Sequence, residues 1–170
     1  MAASAYAQTT DFFELVKTGT PQSVQAAIDQ GADVNASNEY GRTPLMFAAG
    51  NNTNPEVITT FLKAGADVNA RSTIESTPLM QAASSNPNPE VIAALLKAGA
   101  DVNASNEYGG TPLMWAAWHN QNPEVVAVLL KADADGKAKS NEGKTAFDYA
   151  KNNYKLKGTD ALKQLEEASK

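Results

Sequence analysis

Thr43-Pro44-Leu45-Met46 returns as Thr77-Pro78-Leu79-Met80 and as Thr111-Pro112-Leu113-Met114, each time after 34 residues. A decayed copy, Thr145-Ala146-Phe147-Asp148, follows at the same interval. Two more blocks keep this step. Asn54-Pro55-Glu56-Val57 recurs at Asn88 and Asn122, and Gly31-Ala32-Asp33-Val34-Asn35 recurs at Gly65 and Gly99. The second survives in altered form as Asp133-Ala134-Asp135-Gly136-Lys137. Three blocks in one register mark a chain built by stacking copies of a single unit.

Each block has a mechanical reading. Thr before Pro opens a helix: Thr43 caps it, and Pro44 sits where a missing N–H costs nothing. Leu45, Ala48 and Ala49 then share one face, and the paired alanines let a neighbouring helix come close. Asn54-Pro55-Glu56 opens a second helix, with an Asn cap and an acid at the positive end of the helix dipole. Val57, Ile58, Phe61 and Leu62 follow at helical spacing, as do Val91, Ile92, Leu95 and Leu96. Gly31, Gly65 and Gly99 stand where a helix ends in the left-handed conformation. An extended segment, Ala66 to about Ser76, then holds another turn. The predicted unit is helix, loop, helix and a projecting hairpin-like loop.

The unit resembles the ankyrin repeat over residues 9–170. The family's Thr-Pro-Leu-His-x-Ala-Ala stands here as Thr-Pro-Leu-Met-x-Ala-Ala, and its Gly-Ala-Asp-Val-Asn-Ala is almost unchanged. Tetratricopeptide arrays also repeat helix pairs at this length, but they lack the long Gly-rich turn and use a different Trp/Gly/Tyr pattern. The usual ankyrin period is one residue shorter; the extra residue falls in loops such as Gly50-Asn51-Asn52-Thr53-Asn54. The Asn-Pro-Glu-Val-Ile wording resembles bacterial members more than animal ones. The resemblance implies an all-α solenoid of helix pairs with projecting β-turn loops and about five repeats. Caps are expected at 9–37 and 140–170, and full repeats at 38–71, 72–105 and 106–139. Thr10 to Lys17 and Pro21 to Gln30 read as the first helix pair, with Phe12, Leu15 and Val16 inward. Thr145 to Asn153 and roughly Thr159 to Ala168 read as the last. Terminal units of this kind need one polar face, because each lacks a neighbour.

Departures from the family pattern carry expectations of their own. Met46, Met80 and Met114 replace the family's histidine, so the bonds it makes to the turns must be absent or replaced; packing is the expected role. Glu75 stands where the turn glycine appears as Gly41, Gly109 and Gly143, so the Thr73–Ser76 turn is expected to differ locally. Asp133 replaces a helix-ending glycine, and Asp tolerates the left-handed region better than most residues.

Composition removes most chemistry. The 170 residues contain no cysteine, a single histidine, His119, and a net charge of -5. Disulfide scaffolds, thiol nucleophiles, Cys-based zinc sites and two-histidine metal motifs are excluded. The acid excess argues against a nucleic-acid binder, and apolar runs are too short to span a bilayer. Charge is uneven: residues 1–136 hold 6 basic and 14 acidic side chains, whereas 137–170 hold 8 lysines and 5 acids. The interleaving of those lysines with acids reads as a solvated terminal element. Asp133, Asp135, Gly136 and Glu142 miss the EF-hand spacing of glycine and glutamate. Asp33, Asp67 and Asp101 with Asn35, Asn69 and Asn103 read as turn-fixing Asx residues rather than ligands. His119, in the loop after a helix, has no partner for catalysis. No cofactor, metal or catalytic residue is assigned, and the chain reads as a non-enzyme and a monomer.

What remains is the surface that varies while the frame repeats. In ankyrin arrays partners bind a concave face of turn tips and first helices, the resemblance implies. Register maps Tyr40, Arg42, Ile74 and Tyr108 to the turn tips, and Phe47, Trp115, Trp118 and His119 to the helices. Tyr40, Ile74 and Tyr108 are expected to form a ladder, with Trp118 and His119 as its floor and Phe47 and Trp115 partly packed. Trp, Tyr and Arg dominate binding hot spots. The expected function is therefore protein or peptide binding. The alternative is an engineered or consensus-like scaffold without a natural partner, since Gly-Ala-Asp-Val-Asn-Ala-Ser-Asn-Glu-Tyr-Gly is identical at 31–41 and 99–109. An enzyme comes third. Ala5-Tyr6-Ala7 before Gln8 has the small-x-small form of a signal-peptidase site, following which residues 1–8 would be a disordered remnant and the protein periplasmic or secreted. Without export it would be cytoplasmic.

Overall fold

Proline sets the start of every helix through the middle of the chain. In the computed structural model, which describes residues 11–170, α1 occupies 11–18. Then follow α2 (Pro21–Asp29), α3 (Pro44–Asn51), α4 (Pro55–Lys63), α5 (Pro78–Ser85) and α6 (Pro89–Lys97). The chain ends with α7 (Pro112–His119), α8 (Pro123–Lys131), α9 (Ala146–Ala150) and α10 (Asp160–Ala168). The first helices of successive units, α3, α5, α7 and α9, pack side by side in one layer, and α2, α4, α6, α8 and α10 form the second. No strand occurs among the described residues. Such short helices are marginal alone, so stability resides in the stacking. The Ala5-Tyr6-Ala7 motif lies outside the described residues.

The core repeats as the sequence does. Leu45, Leu79 and Leu113 are fully buried, as are the alanine pairs 48–49, 82–83 and 116–117. Val57, Ile58 and Phe61 and their counterparts in α6 and α8 complete it. Met46, Met80 and Met114 are at most 3% exposed, so they are core side chains. The turns are held from within instead: Asn38 Oδ1 accepts from the Tyr40 and Arg42 N–H groups, and Asn106 Oδ1 from those of Tyr108 and Gly110.

Among the asparagine ladders that join the repeats, two span most of the array. Asn52, Asn86 and Asn120 stand 34 residues apart and are buried, each with an amide that donates twice to the preceding unit. Asn86 Nδ2 reaches the carbonyls of Ala49 and Asn52 at 2.9 and 2.8 Å, and Asn120 Nδ2 those of Ala83 and Asn86 at 2.8 and 2.9 Å. Asn52 does the same to Val16 and Gly19, and Asn153 to Ala117 and Asn120. A helix leaves its last carbonyls unpaired, so each first helix is capped by the next repeat. The second ladder is exposed. Asp33, Asp67 and Asp101 close their own Asx turns, while Asn35, Asn69 and Asn103 donate to the carbonyls of Gly65, Gly99 and Asp133.

Several details differ from the sequence expectation. Thr43 starts α3, but its side chain makes no cap bond, and its buried hydroxyl has no partner. Thr77 and Thr111 do cap, to the N–H of Met80 and Met114. The backbone of the Thr73–Ser76 turn does not differ: Glu75 keeps φ 61° and its N–H bonds to Ser72 O at 2.9 Å, as Gly41 and Gly109 bond to Asn38 and Asn106. The left-handed cost is carried in place, with the Glu75 carboxylate paired to Arg71 at 2.8 Å. Asp133 is left-handed at φ 63°, as its residue type allows. The last first-layer helix is five residues long, shorter than Thr145 to Asn153, since Asn153 leaves it to cap α7 and Leu156 fills the core beyond.

Candidate functional site

One column of residues runs along the first-helix layer at the repeat step: Phe13, Phe47, Gln81, Trp115 and Tyr149. Its two ends are aromatic and its middle is an amide. At the first end Phe13 is 8% exposed and meets Phe47 edge-on at 5.2 Å, with the Lys17 ammonium 5.4 Å from the Phe47 ring. Gln81 turns inward and donates to the Ser76 hydroxyl at 3.0 Å. At the far end the rings gather. Trp118 stacks on Tyr149 at 5.0 Å and on His119 at 4.5 Å, with Trp115 at 6.0 Å.

Local sequence explains why rings collect there. Arg42 and Ser76 have Gly110 as their counterpart, and a Cβ on Gly110 would come within 3.1 Å of Trp115 Nε1 and of Asn106 Oδ1. Glycine therefore makes room for the indole. Trp118 occupies the register of Gly50 and Ser84, and α9 offers Tyr149 as a surface for it. Trp118 remains 46% exposed and Tyr108 56%. Together with Met114, Trp115, Tyr149 and the turn residues Ser140, Asn141 and Glu142 they line a recess of about 300 Å³. A second recess, about 290 Å³, lies at the first end between Lys17, Arg42, Phe47, Asn51, Gln81 and Ser85. A larger one, about 870 Å³, lies between α8 and α10 on the other layer.

The eight sequence-expected residues thus divide. Tyr108, Trp115, Trp118 and His119 come together. Tyr40, Arg42 and Phe47 belong to the opposite end. Ile74 lies between, half-buried. The turn tips of Tyr40, Ile74 and Tyr108 follow one another through backbone bonds: Tyr40 O accepts from Thr73, Ile74 O from Glu107 and Tyr108 O from Asn141. His119 is the final residue of α7 rather than a loop residue. Trp115 and Phe47 are half-buried, as register implied. Tyr149, Phe13 and Glu142 were missed, although stepping 34 residues from Trp115 and Phe47 finds the first two.

Electrostatics at the far end are specific. The Glu107 carboxylate beside Tyr108 pushes its phenol up. Burial pushes the His119 imidazole below its usual value, so it is neutral at pH 7. Lys144 pairs with Glu142 at 2.7 Å, which raises its pKa, and lies 5.6 Å from the Tyr149 ring. Asp148 is held at about 2, first by the Lys151 ammonium and then by the Thr145 N–H and hydroxyl. That last arrangement is a capping box. It belongs to helix initiation, not to chemistry. Among the described residues no three potential metal ligands gather, and no helix is long and apolar enough to cross a membrane.

Comparison with curated proteins returned no match. Family models do match: ankyrin repeats (3 copies) over residues 52–140 and 79–165, and ankyrin repeats (many copies) over residues 12–62. Stacked helix pairs, left-handed turn positions and these matches agree: the chain belongs to the ankyrin repeat family.

Proposed function

We propose that this protein is a non-catalytic interaction module that binds a protein or peptide on the concave face formed by its turn tips and first helices. Ankyrin repeats are generally protein-interaction modules and typically carry no catalysis. The observation that carries the reading for this chain is that Trp118 and Tyr108, two of the four large apolar side chains exposed among the described residues, line one recess. Such surface usually marks an interaction site, and a buried indole is a common hot spot. The residues assigned to the partner are Tyr40, Arg42, Phe47, Ile74, Tyr108, Trp115, Trp118 and His119, now joined by Tyr149.

A photo-crosslinking residue at Trp118 tests this in lysate of the source organism, with the same residue at Thr59 on α4 as the outer-layer control. The expected result is a discrete adduct from position 118 alone. Equal capture at both positions, or capture only at 59, would contradict the assignment.

A further inference from the structure

We infer that the recess between Tyr108, Trp118 and Tyr149 receives a positively charged side chain, arginine or lysine, from a partner peptide, and that Lys144 is its intramolecular competitor. The inference rests on the concave-face reading above and adds the chemistry of the occupant. Four of the lining residues are aromatic, and the faces of such rings attract cations. The only ionisable acid or base among the lining residues besides the tyrosines is Glu142, so the charge offered is negative. Glu107 adds a second carboxylate beside Tyr108. His119 stays neutral and does not oppose an incoming cation.

The molecule already holds one cation by these means. The Lys144 ammonium is shared between the Glu142 carboxylate at 2.7 Å and the Tyr149 ring at 5.6 Å. Both partners stand at the recess, and Lys144 itself is exposed on a turn and free to leave. An arriving basic side chain exchanges with it. The recess at the opposite end has the reverse character: Lys17 and Arg42 line it and no carboxylate does.

Both tryptophans of the chain, Trp115 and Trp118, line the recess, so intrinsic fluorescence reports its occupancy. The intact chain is titrated with Gly/Ser octapeptides carrying two arginines, two lysines, two leucines or two glutamates. Arginine and lysine peptides should change the emission saturably and the glutamate peptide should not. Glu142→Gln should weaken the arginine peptide about fivefold, and Lys144→Ala should tighten it by a similar factor, the size of an exposed charge pair. Both side chains are exposed, so melting curves should match wild type. A leucine or glutamate peptide that binds as well as arginine, or tightening lost in Lys144→Ala, overturns the cationic occupant while leaving the concave-face reading intact. If no peptide perturbs the tryptophans and crosslinking at Trp118 also fails, both fall together.

Discussion

The two aromatic ends of the first-helix column solve the same register position in opposite ways. At the first end, Phe13 and Phe47 close on each other, and Lys17 covers what is left. At the far end, Trp115 and Tyr149 hold Trp118 between them and the solvent, nearly half exposed. The first pair behaves as a cap completing a core. The second behaves as a platform on which a side chain is displayed. Aromatic content alone therefore does not identify a binding surface; what the neighbours leave uncovered does.

The frame shared by both ends gives the largest expected effect. Asn86→Ala deprives two buried carbonyls, those of Ala49 and Asn52, of their donor. At roughly 1–3 kcal/mol for each buried group left unpaired, the loss should be about 4 kcal/mol in urea melts. A loss under ~1 kcal/mol would mean that the ladder contributes little to stacking. Next comes the closed end. Phe13→Ala should cost about 3 kcal/mol, since the ring is buried against Phe47. Trp118→Ala at the open end should cost only about 1 kcal/mol, the value of an aromatic pair, or a Tm shift of about 3 °C. If these two substitutions destabilise equally, the contrast between the ends disappears.

Two pH effects sharpen the comparison further. Asp148 has its pKa lowered from 3.8 to about 2 in the fold, so its stabilising contribution is present above 3.8 and is lost as pH falls through that window. Wild type should therefore lose stability more steeply than Asp148→Asn on acidification from about pH 4 to 2, by urea melts at each pH. His119 gives the smallest effect. Its folded pKa lies below 6.5, so the unfolded chain binds the proton first and stability declines as pH drops below 6.5. His119→Gln should flatten that slope. A steeper slope in the variant would place the imidazole in a different environment.

Much of this molecule was legible in its sequence, for a physical reason. Thr-Pro and Asn-Pro-Glu are local signals whose chemistry acts within one helical turn, so register alone located α3 to α8. The left-handed turn positions were equally local. What sequence hid depends on the neighbouring repeat. Asn52, Asn86 and Asn120 recur visibly, but a loop asparagine does not reveal that its amide reaches a carbonyl 34 or 37 residues upstream. Thr43 carries the same capping motif as Thr77, and yet only Thr77 makes the bond. At the candidate site, Trp115, Trp118, His119 and Tyr108 were found because rare side chains stand out from a repeating frame. Phe47 and Tyr40 share that face by register but stand two repeats away, and the closing of Phe47 against Phe13 is a matter of packing that register does not show. Tyr149 escaped because the last repeat reads as a cap, where an aromatic at the register of Trp115 signals packing rather than display.

The central claim is that display at the open end and stability of the frame are separable. It is tested most directly by measuring, for Trp118→Ala and Phe13→Ala side by side, both Tm and affinity for the partner captured by crosslinking. Trp118→Ala should lower affinity about 30-fold, the equivalent of a 2 kcal/mol hot spot, with Tm lower by only about 3 °C. Phe13→Ala should lower Tm well beyond that and leave affinity near wild type at a temperature where it is folded. An array unfolded by Trp118→Ala, or a partner bound with undiminished affinity when that indole is gone, would contradict the account.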